Sequence, residues 1–157
     1  MKQSIDSYLL GWKKAHDSVI LFLELHLTEE HPQFQPFDEE QEYGCYKLGR
    51  FIFNPVTQLQ GLPKSEIKPR WNETLKEYED ITEINEIFFE DEYVQIETDD
   101  RLITIYCPEA ELIIASIGWV IPIYVPKPIH QRFPISRFYH NFIGCCNNLC
   151  ANITSNT

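Results

Sequence analysis

The chain has 157 residues, the usual size of one domain, and 43% of them are hydrophobic and 13% aromatic. This composition is sufficient for a packed core and excludes disorder of the whole chain. With 24 Asp and Glu against 13 Lys and Arg, the formal net charge is −11. That charge excludes unspecific binding to nucleic acid or to an anionic membrane, because both require a basic surface.

The N-terminal region indicates a cytoplasmic protein. The apolar run from Val19 to Leu27 is interrupted by Glu24 and His26, and no small-residue cleavage site follows it. No run approaches the roughly 18 apolar residues of a membrane span. The cysteines are odd in number and three fall within six residues, unlike a secreted disulfide scaffold. They are Cys45, Cys107, Cys145, Cys146 and Cys150, and we expect reduced thiols.

Residues 4–17 are predicted to form an amphipathic helix that begins near Ser4 or Asp6. Its apolar stripe recurs every three or four residues and consists of Ile5, Leu9, Trp12, His16 and Val19. The continuation has two interpretations. Leu23 and Leu27 extend the helical stripe, but apolar residues also alternate along 19–27, as they do in a strand. We favour one helix to about Leu27.

The middle of the chain is predicted to contain a strand between two irregular segments. Residues 28–42 hold two prolines and six acids without a base, which indicates a solvated loop. A strand is expected around Phe51–Phe53 and ends at Asn54-Pro55. Residues 55–70, with three prolines and a glycine, indicate an irregular connection, and Trp71–Tyr78 is predicted as a short helix.

The strongest structural signal is a β-hairpin over residues 92–107. If Asp99 and Asp100 form a two-residue turn, four β-branched residues share one face of the ribbon, with Val94 opposite Ile105 and Ile96 opposite Ile103. Ile84–Phe89 would supply a preceding strand, and Leu112–Ser116 and Trp119–Tyr124 two later ones. Pro122 makes the last an edge or bulged strand.

These elements predict an α+β fold in which the N-terminal amphipathic helix packs on a mostly antiparallel sheet of about 4–5 strands. Residues 1–135 are expected to form this single domain. Residues 136–157 are expected to form a loosely ordered, Cys-containing tail. The oligomeric state is left open.

The negative charge is concentrated in one segment. Residues 77–100 carry eleven acids and no base, and the other 133 residues hold 13 acids and 13 bases. A second patch, residues 24–42, has seven acids and no base. Because the acids of 77–100 alternate with apolar residues, they are expected on an ordered surface. Such a surface is either solubilising or a docking site for a basic partner.

Patterns for catalysis or for a metal or cofactor are absent or incomplete. His26 and His31 are five residues apart, which puts them on different helical faces and fails the zinc-protease pattern. His140 with the three C-terminal cysteines lacks the paired spacing of zinc ribbons. No glycine-rich phosphate loop, calcium loop or nucleophile elbow is present. We therefore predict no cofactor, no metal and no enzymatic activity.

The sequence thus favours a non-catalytic acidic binding protein that neutralises a basic protein, in the manner of an immunity protein against a toxin enzyme such as a nuclease. The predicted contact residues are Glu86, Glu90, Asp91, Glu92, Tyr93, Glu97, Asp99 and Asp100, with Tyr93 as the aromatic anchor. One alternative is a nucleic-acid mimic that blocks a DNA- or RNA-binding protein. Another is a small enzyme or ligand-binding domain with a pocket between helix and sheet, using Cys107, Glu109, Glu111 and a histidine.

Overall fold

The computed structural model describes residues 7–29, 34–36, 44–115, 120–123 and 131–134, the last two ranges by their backbone. The described residues contain strands and no helix, so the α+β prediction with an N-terminal helix is wrong and the fold of this part is all-β. The strands are β1 (Ser7–Ala15), β2 (Ser18–Leu27), β3 (Cys45–Asn54), β4 (Gln58–Gln60), β5 (Arg70–Asn72), β6 (Glu77–Glu79), β7 (Thr82–Phe89), β8 (Tyr93–Thr98), β9 (Leu102–Tyr106), β10 (Glu109–Ala115), β11 (Val120–Ile123) and β12 (Gln131–Pro134).

Eight strands follow one another in an open antiparallel sheet in the order β10-β3-β2-β1-β7-β8-β9-β4. β11 pairs with β10 at one end of this path. One edge of β7 is shared, because β1 pairs with its first residues and β12 with its last four. β5 and β6 form a separate two-stranded hairpin.

The segment predicted as a helix forms β1 and β2 because its apolar residues alternate. Val19, Leu21, Leu23, Leu25 and Leu27 are all buried on one side of β2. The helical spacing from Leu9 to Trp12 has a different cause: a β-bulge lies between Leu9 and Gly11. The extra residue lets Leu9 face Leu23 and Trp12 face Leu21 on the same side of the sheet. The bulge therefore produces the three-residue spacing of apolar side chains that is typical of one helical turn.

A tight turn at His16 and Asp17 reverses the chain between these two strands. His16 has φ of 53°, the left-handed conformation that two-residue hairpin turns require. Ala15 and Ser18 pair directly across this turn. The reversal falls inside the predicted helix and divides it into two paired strands.

The sheet curls so that its two halves face each other across a core. The rings of Phe51 on β3 and Phe89 on β7 have centroids 6.3 Å apart. Two strands lie between β3 and β7, so a flat sheet would separate these residues by at least about 14 Å. The link from β3 to β4 crosses the same gap: the Val56 N–H donates to the Asp17 carbonyl (2.7 Å) and the Thr57 N–H to the Tyr106 carbonyl (3.0 Å).

The hairpin over 92–107 has the predicted register. Val94 pairs with Ile105 and Ile96 with Ile103, and all four side chains are buried. The Asp99-Asp100 turn is closed by Thr98, whose hydroxyl donates to the Arg101 carbonyl (2.9 Å) and accepts from the Arg101 N–H (3.1 Å). These bonds compensate for the absence of a glycine in the turn.

The predicted helix over Trp71–Tyr78 is wrong, because these residues belong to the β5–β6 hairpin. Trp71 pairs with Tyr78 across it, with ring centroids 5.1 Å apart in an edge-on arrangement. The Asn72 side chain shapes the turn, since its oxygen accepts from the N–H groups of Thr74 and Leu75, both at 3.0 Å. An Asn side chain that accepts from backbone N–H groups two and three residues later forms an Asx-turn, one reason that Asn is frequent in turns.

Among the described residues no helix is long and apolar enough to cross a membrane. The predicted tail, residues 136–157 with His140, Cys145, Cys146 and Cys150, lies outside the described residues.

Candidate functional site

The outer face of the sheet, opposite the core, brings acidic side chains of β7 and β8 together. Glu86 pairs directly with Glu97, and Glu97 pairs in turn with Leu102 of β9. Both glutamates alternate with buried isoleucines, Ile87 and Ile96, so their side chains leave the core. Two like charges directly opposite each other on neighbouring strands repel and destabilise the sheet.

The outer face also joins the two acidic segments of the sequence. Tyr8 of β1 pairs with Glu24 of β2 on one side and with Glu83 of β7 on the other, which puts the two glutamates about 10 Å apart. Glu83 lies next to the β8–β9 turn, since its carbonyl accepts from the Asp99 N–H (3.2 Å). We define the acidic band as Glu24, Glu83, Glu86, Glu97 and Asp99.

Four of the predicted contact residues lie apart from this band. Glu90, Asp91 and Glu92 form the turn between β7 and β8, at the opposite end of β8 from Asp99. Six residues of strand separate the two ends, about 20 Å. Tyr93 belongs to this second group, where its ring contacts Tyr106 at a centroid distance of 5.7 Å. The structure therefore divides the predicted surface into two groups.

Asp100 is occupied by an intramolecular ion pair. Its carboxylate accepts from Arg101 Nη2 (2.7 Å) and Nε (3.1 Å). These hydrogen bonds hold the pKa of Asp100 well below its usual range, with a smaller contribution from Thr82. The adjacent guanidinium neutralises much of the Asp100 charge, so this residue adds little to an acidic surface.

An apolar pocket of about 320 Å³ opens on the outer face beside the band. Its floor comes from β1, β2, β3 and β10, and its roof from the β5–β6 segment. The lining residues are Leu10, Phe22, Leu23, Leu48, Gly49, Arg50, Pro69, Tyr78 and Ile113. Leu10 is buried but is not part of the core cluster, because the β1 bulge turns it outward.

Residues 68–80 form the roof because the chain leaves the edge of β1 and returns to it. The Trp12 N–H donates to the Ile67 carbonyl (2.8 Å), and the Ile81 N–H donates to the Leu9 carbonyl (2.7 Å). Gly11 lies between these two attachment points. A Cβ there would meet the Ile67 carbonyl oxygen and would come within 2.9 Å of Pro69 Cδ. Glycine therefore allows the roof to approach the sheet.

Acidic side chains lie at the margin of this pocket. Glu24 follows the lining residue Leu23 and pairs across the strands with the lining residue Leu48. Burial raises the pKa of Glu24, and the nearby charges of Glu77 and Asp80 raise it further. Two bases are nearby: Arg50 in the lining, and Lys13, whose ammonium lies 6.0 Å from the ring centroid of the lining residue Phe22. The three acids outnumber them and leave the margin negative. Glu24 thus connects the pocket to the acidic band.

Within the described part of the chain, the residues of the enzyme alternative are not gathered into a site. Cys107 is 2% exposed and its thiol donates to the Ile105 carbonyl (3.7 Å). Glu109 and Glu111 lie on the outer side of β10, opposite Asn54 and Ile52. No group of three potential metal ligands occurs among the residues that the structure describes. The predicted pocket between helix and sheet is wrong there, because the pocket lies between the sheet and the β5–β6 hairpin.

Sequence reasoning missed the residues that build this site. Glu24 was assigned to an interrupted apolar run, and Leu48, Arg50 and Tyr78 carried no signal of their own. The strict alternation of 19–27 was the available clue, because a strand interpretation puts Phe22 and Glu24 on the face opposite the leucines. Comparison with known proteins identifies no relative: no family model, no curated protein and no solved structure matches the chain.

Proposed function

We propose that the protein is a non-catalytic binding protein that neutralises a basic protein partner through the acidic band on its outer sheet face. The observation that carries this proposal is the continuity of the band, which crosses the neighbouring strands β2, β1, β7 and β8. A negative field on a rigid sheet speeds the encounter with a positive surface and orients it. The partner's chemistry follows from the band: a protein with a basic face, such as an enzyme that binds phosphates.

The opposed pair Glu86 and Glu97 supports a role beyond solubility. It concentrates two carboxylates at one point of the acidic band, whereas charges that only keep a protein soluble can be spread over the surface.

Two variants with the same loss of charge separate the band from the rest of the acidic surface. The band variant combines Glu83→Gln, Glu97→Gln and Asp99→Asn. Its control neutralises the distant turn, residues 90–92, with the corresponding amides. Each removes three negative charges, so net charge and solubility change equally. Asn at position 99 keeps an oxygen that can accept the hydrogen bond from Asn85 (3.0 Å).

The proteins are immobilised and used to capture partners from an extract of the native host, with elution by rising salt and identification by mass spectrometry. The natural protein and the control variant are expected to retain the same basic protein, which elutes as salt screens the charges. The band variant is expected to lose it. Equal capture by both variants would leave the band a solubilising surface, and so would capture of no basic protein. Thermal unfolding of each variant verifies that it is folded.

A further inference from the structure

The apolar pocket beside Glu24 is open at a margin that carries exposed apolar side chains. Leu48 is 38% exposed and Trp71, which contacts the lining residue Tyr78, is 47% exposed. They are two of the four large hydrophobic residues that are exposed within the described part of the chain. At about 320 Å³ the pocket is at the lower end of the range of ligand pockets, roughly 300–1,000 Å³, and it fits one large side chain.

We propose that this pocket is the anchor site of the interface and binds one apolar or aromatic side chain of the basic partner. A Lys or Arg next to that side chain in the partner reaches the acids at the margin of the pocket. This inference rests on the proposed function and adds to it the partner's recognition element. The occupant follows from charge complementarity, because the lining is apolar except for Arg50, and the acids Glu24, Glu77 and Asp80 at its margin outnumber the nearby bases Arg50 and Lys13.

The chemistry of the lining matches such an occupant. Phe22 and Tyr78 present aromatic surfaces that bind apolar groups. The face of an aromatic ring also attracts a cation, as the Lys13 ammonium 6.0 Å from the Phe22 ring centroid illustrates. Binding energy in protein interfaces concentrates in anchors that fill pockets, and charges at the rim contribute orientation and rate. A pocket within an acidic surface therefore explains how a partner is chosen among the many basic proteins that the band attracts.

The test uses two synthetic peptides with blocked ends as probes. Both carry four lysines separated by serines, and the central residue is tryptophan in one and serine in the other. Fluorescence or calorimetric titration gives the affinity of each for the full-length protein. The tryptophan peptide is expected to bind roughly 10- to 100-fold more tightly, the gain from burying one large apolar side chain.

Two leucine variants locate the gain. Leu48→Ser removes an apolar side chain at the margin and is expected to weaken the tryptophan peptide about 5- to 10-fold while leaving the serine peptide unchanged. Leu102→Ser is the matched control, because Leu102 is also exposed (52%) but lies on β9 in the other half of the sheet. Because Leu102 pairs with Glu97 of the acidic band, which both peptides contact, this variant is expected to leave the ratio of the two affinities unchanged. Circular dichroism verifies that both variants are folded.

The outcomes distinguish the pocket from the band. Equal affinities for the two peptides would overturn the anchor site and leave the acidic band as the binding surface. Failure of both peptides to bind would count against the proposed function as well. Sedimentation that shows a dimer, dissociated by Leu48→Ser and not by Leu102→Ser, would assign the pocket to a second copy of the chain and overturn the inference.

Discussion

The contact between Phe51 and Phe89 provides the sharpest test of the curled sheet. Both rings are fully buried, and their centroids are 6.3 Å apart although two strands separate β3 from β7. Aromatic pairs at such distances contribute about 0.5–1.5 kcal/mol beyond the area they bury. In a flat sheet these two residues would be at least about 14 Å apart. Substitutions at residues more than about 7–10 Å apart are additive to within roughly 0.5 kcal/mol.

The assay is a double-mutant cycle with Phe51→Leu and Phe89→Leu, measured by urea unfolding at 25 °C. Each replacement keeps an apolar side chain of similar size, so each is expected to lower the free energy of unfolding by about 1 kcal/mol. The double variant is expected to lose about 0.5–1.5 kcal/mol less free energy of unfolding than the two single variants together, because the first substitution already removes the ring contact.

A second cycle supplies the control. Phe22 lies on the outer face of β2, where it lines the pocket, and so lies on the opposite side of the sheet from Phe89. Phe22→Leu and Phe89→Leu are expected to be additive. If the Phe51 cycle is additive to the same extent, the rings do not meet across the core and the curled arrangement of the two sheet halves is refuted.

Two further predictions concern Glu24 and Gly61. Since the pKa of Glu24 is raised above its ordinary value of 4.5 in the folded protein, the folded state binds the proton more tightly, and stability should fall as pH rises from 4.5 through the raised pKa. Glu24→Gln should remove this decrease of stability with pH, so the variant should be more stable than the natural protein at pH 7 but not below pH 4.5. Identical urea-unfolding profiles of the two proteins across pH would contradict the buried position of Glu24 beside other acids. Gly61 has φ of 87°, and a Cβ there would meet the Leu102 carbonyl. Gly61→Ala should therefore lower the free energy of unfolding by about 1–3 kcal/mol. The control Lys64→Ala, at an exposed position, should lower it by less than about 0.5 kcal/mol. Equal denaturation midpoints for the two variants would exclude the strained contact.

Local sequence patterns were sufficient for the hairpin over 92–107, because its register depends on two adjacent strands and one short turn. The alternation of β-branched residues determined which side chains face the core. The same rule, applied to residues 19–27, describes β2. The helix prediction there extended the apolar stripe of the preceding segment through Leu23 and Leu27. Only the pairing of β1 with β2 reveals that a bulge produces the three-residue spacing from Leu9 to Trp12 in that stripe.

By itself, the sequence determined how much charge the chain carries, which segments hold it, and which side of each alternating strand is apolar. Only the tertiary structure decided that Glu24 lies with Glu83 across Tyr8, that residues 90–92 lie apart, and that Tyr78 covers a pocket on β2 and β3. The physical reason is that alternation along a strand specifies a face but not a neighbour. Neighbours depend on strand order and on the curl of the sheet, and these follow from packing between residues far apart in the chain.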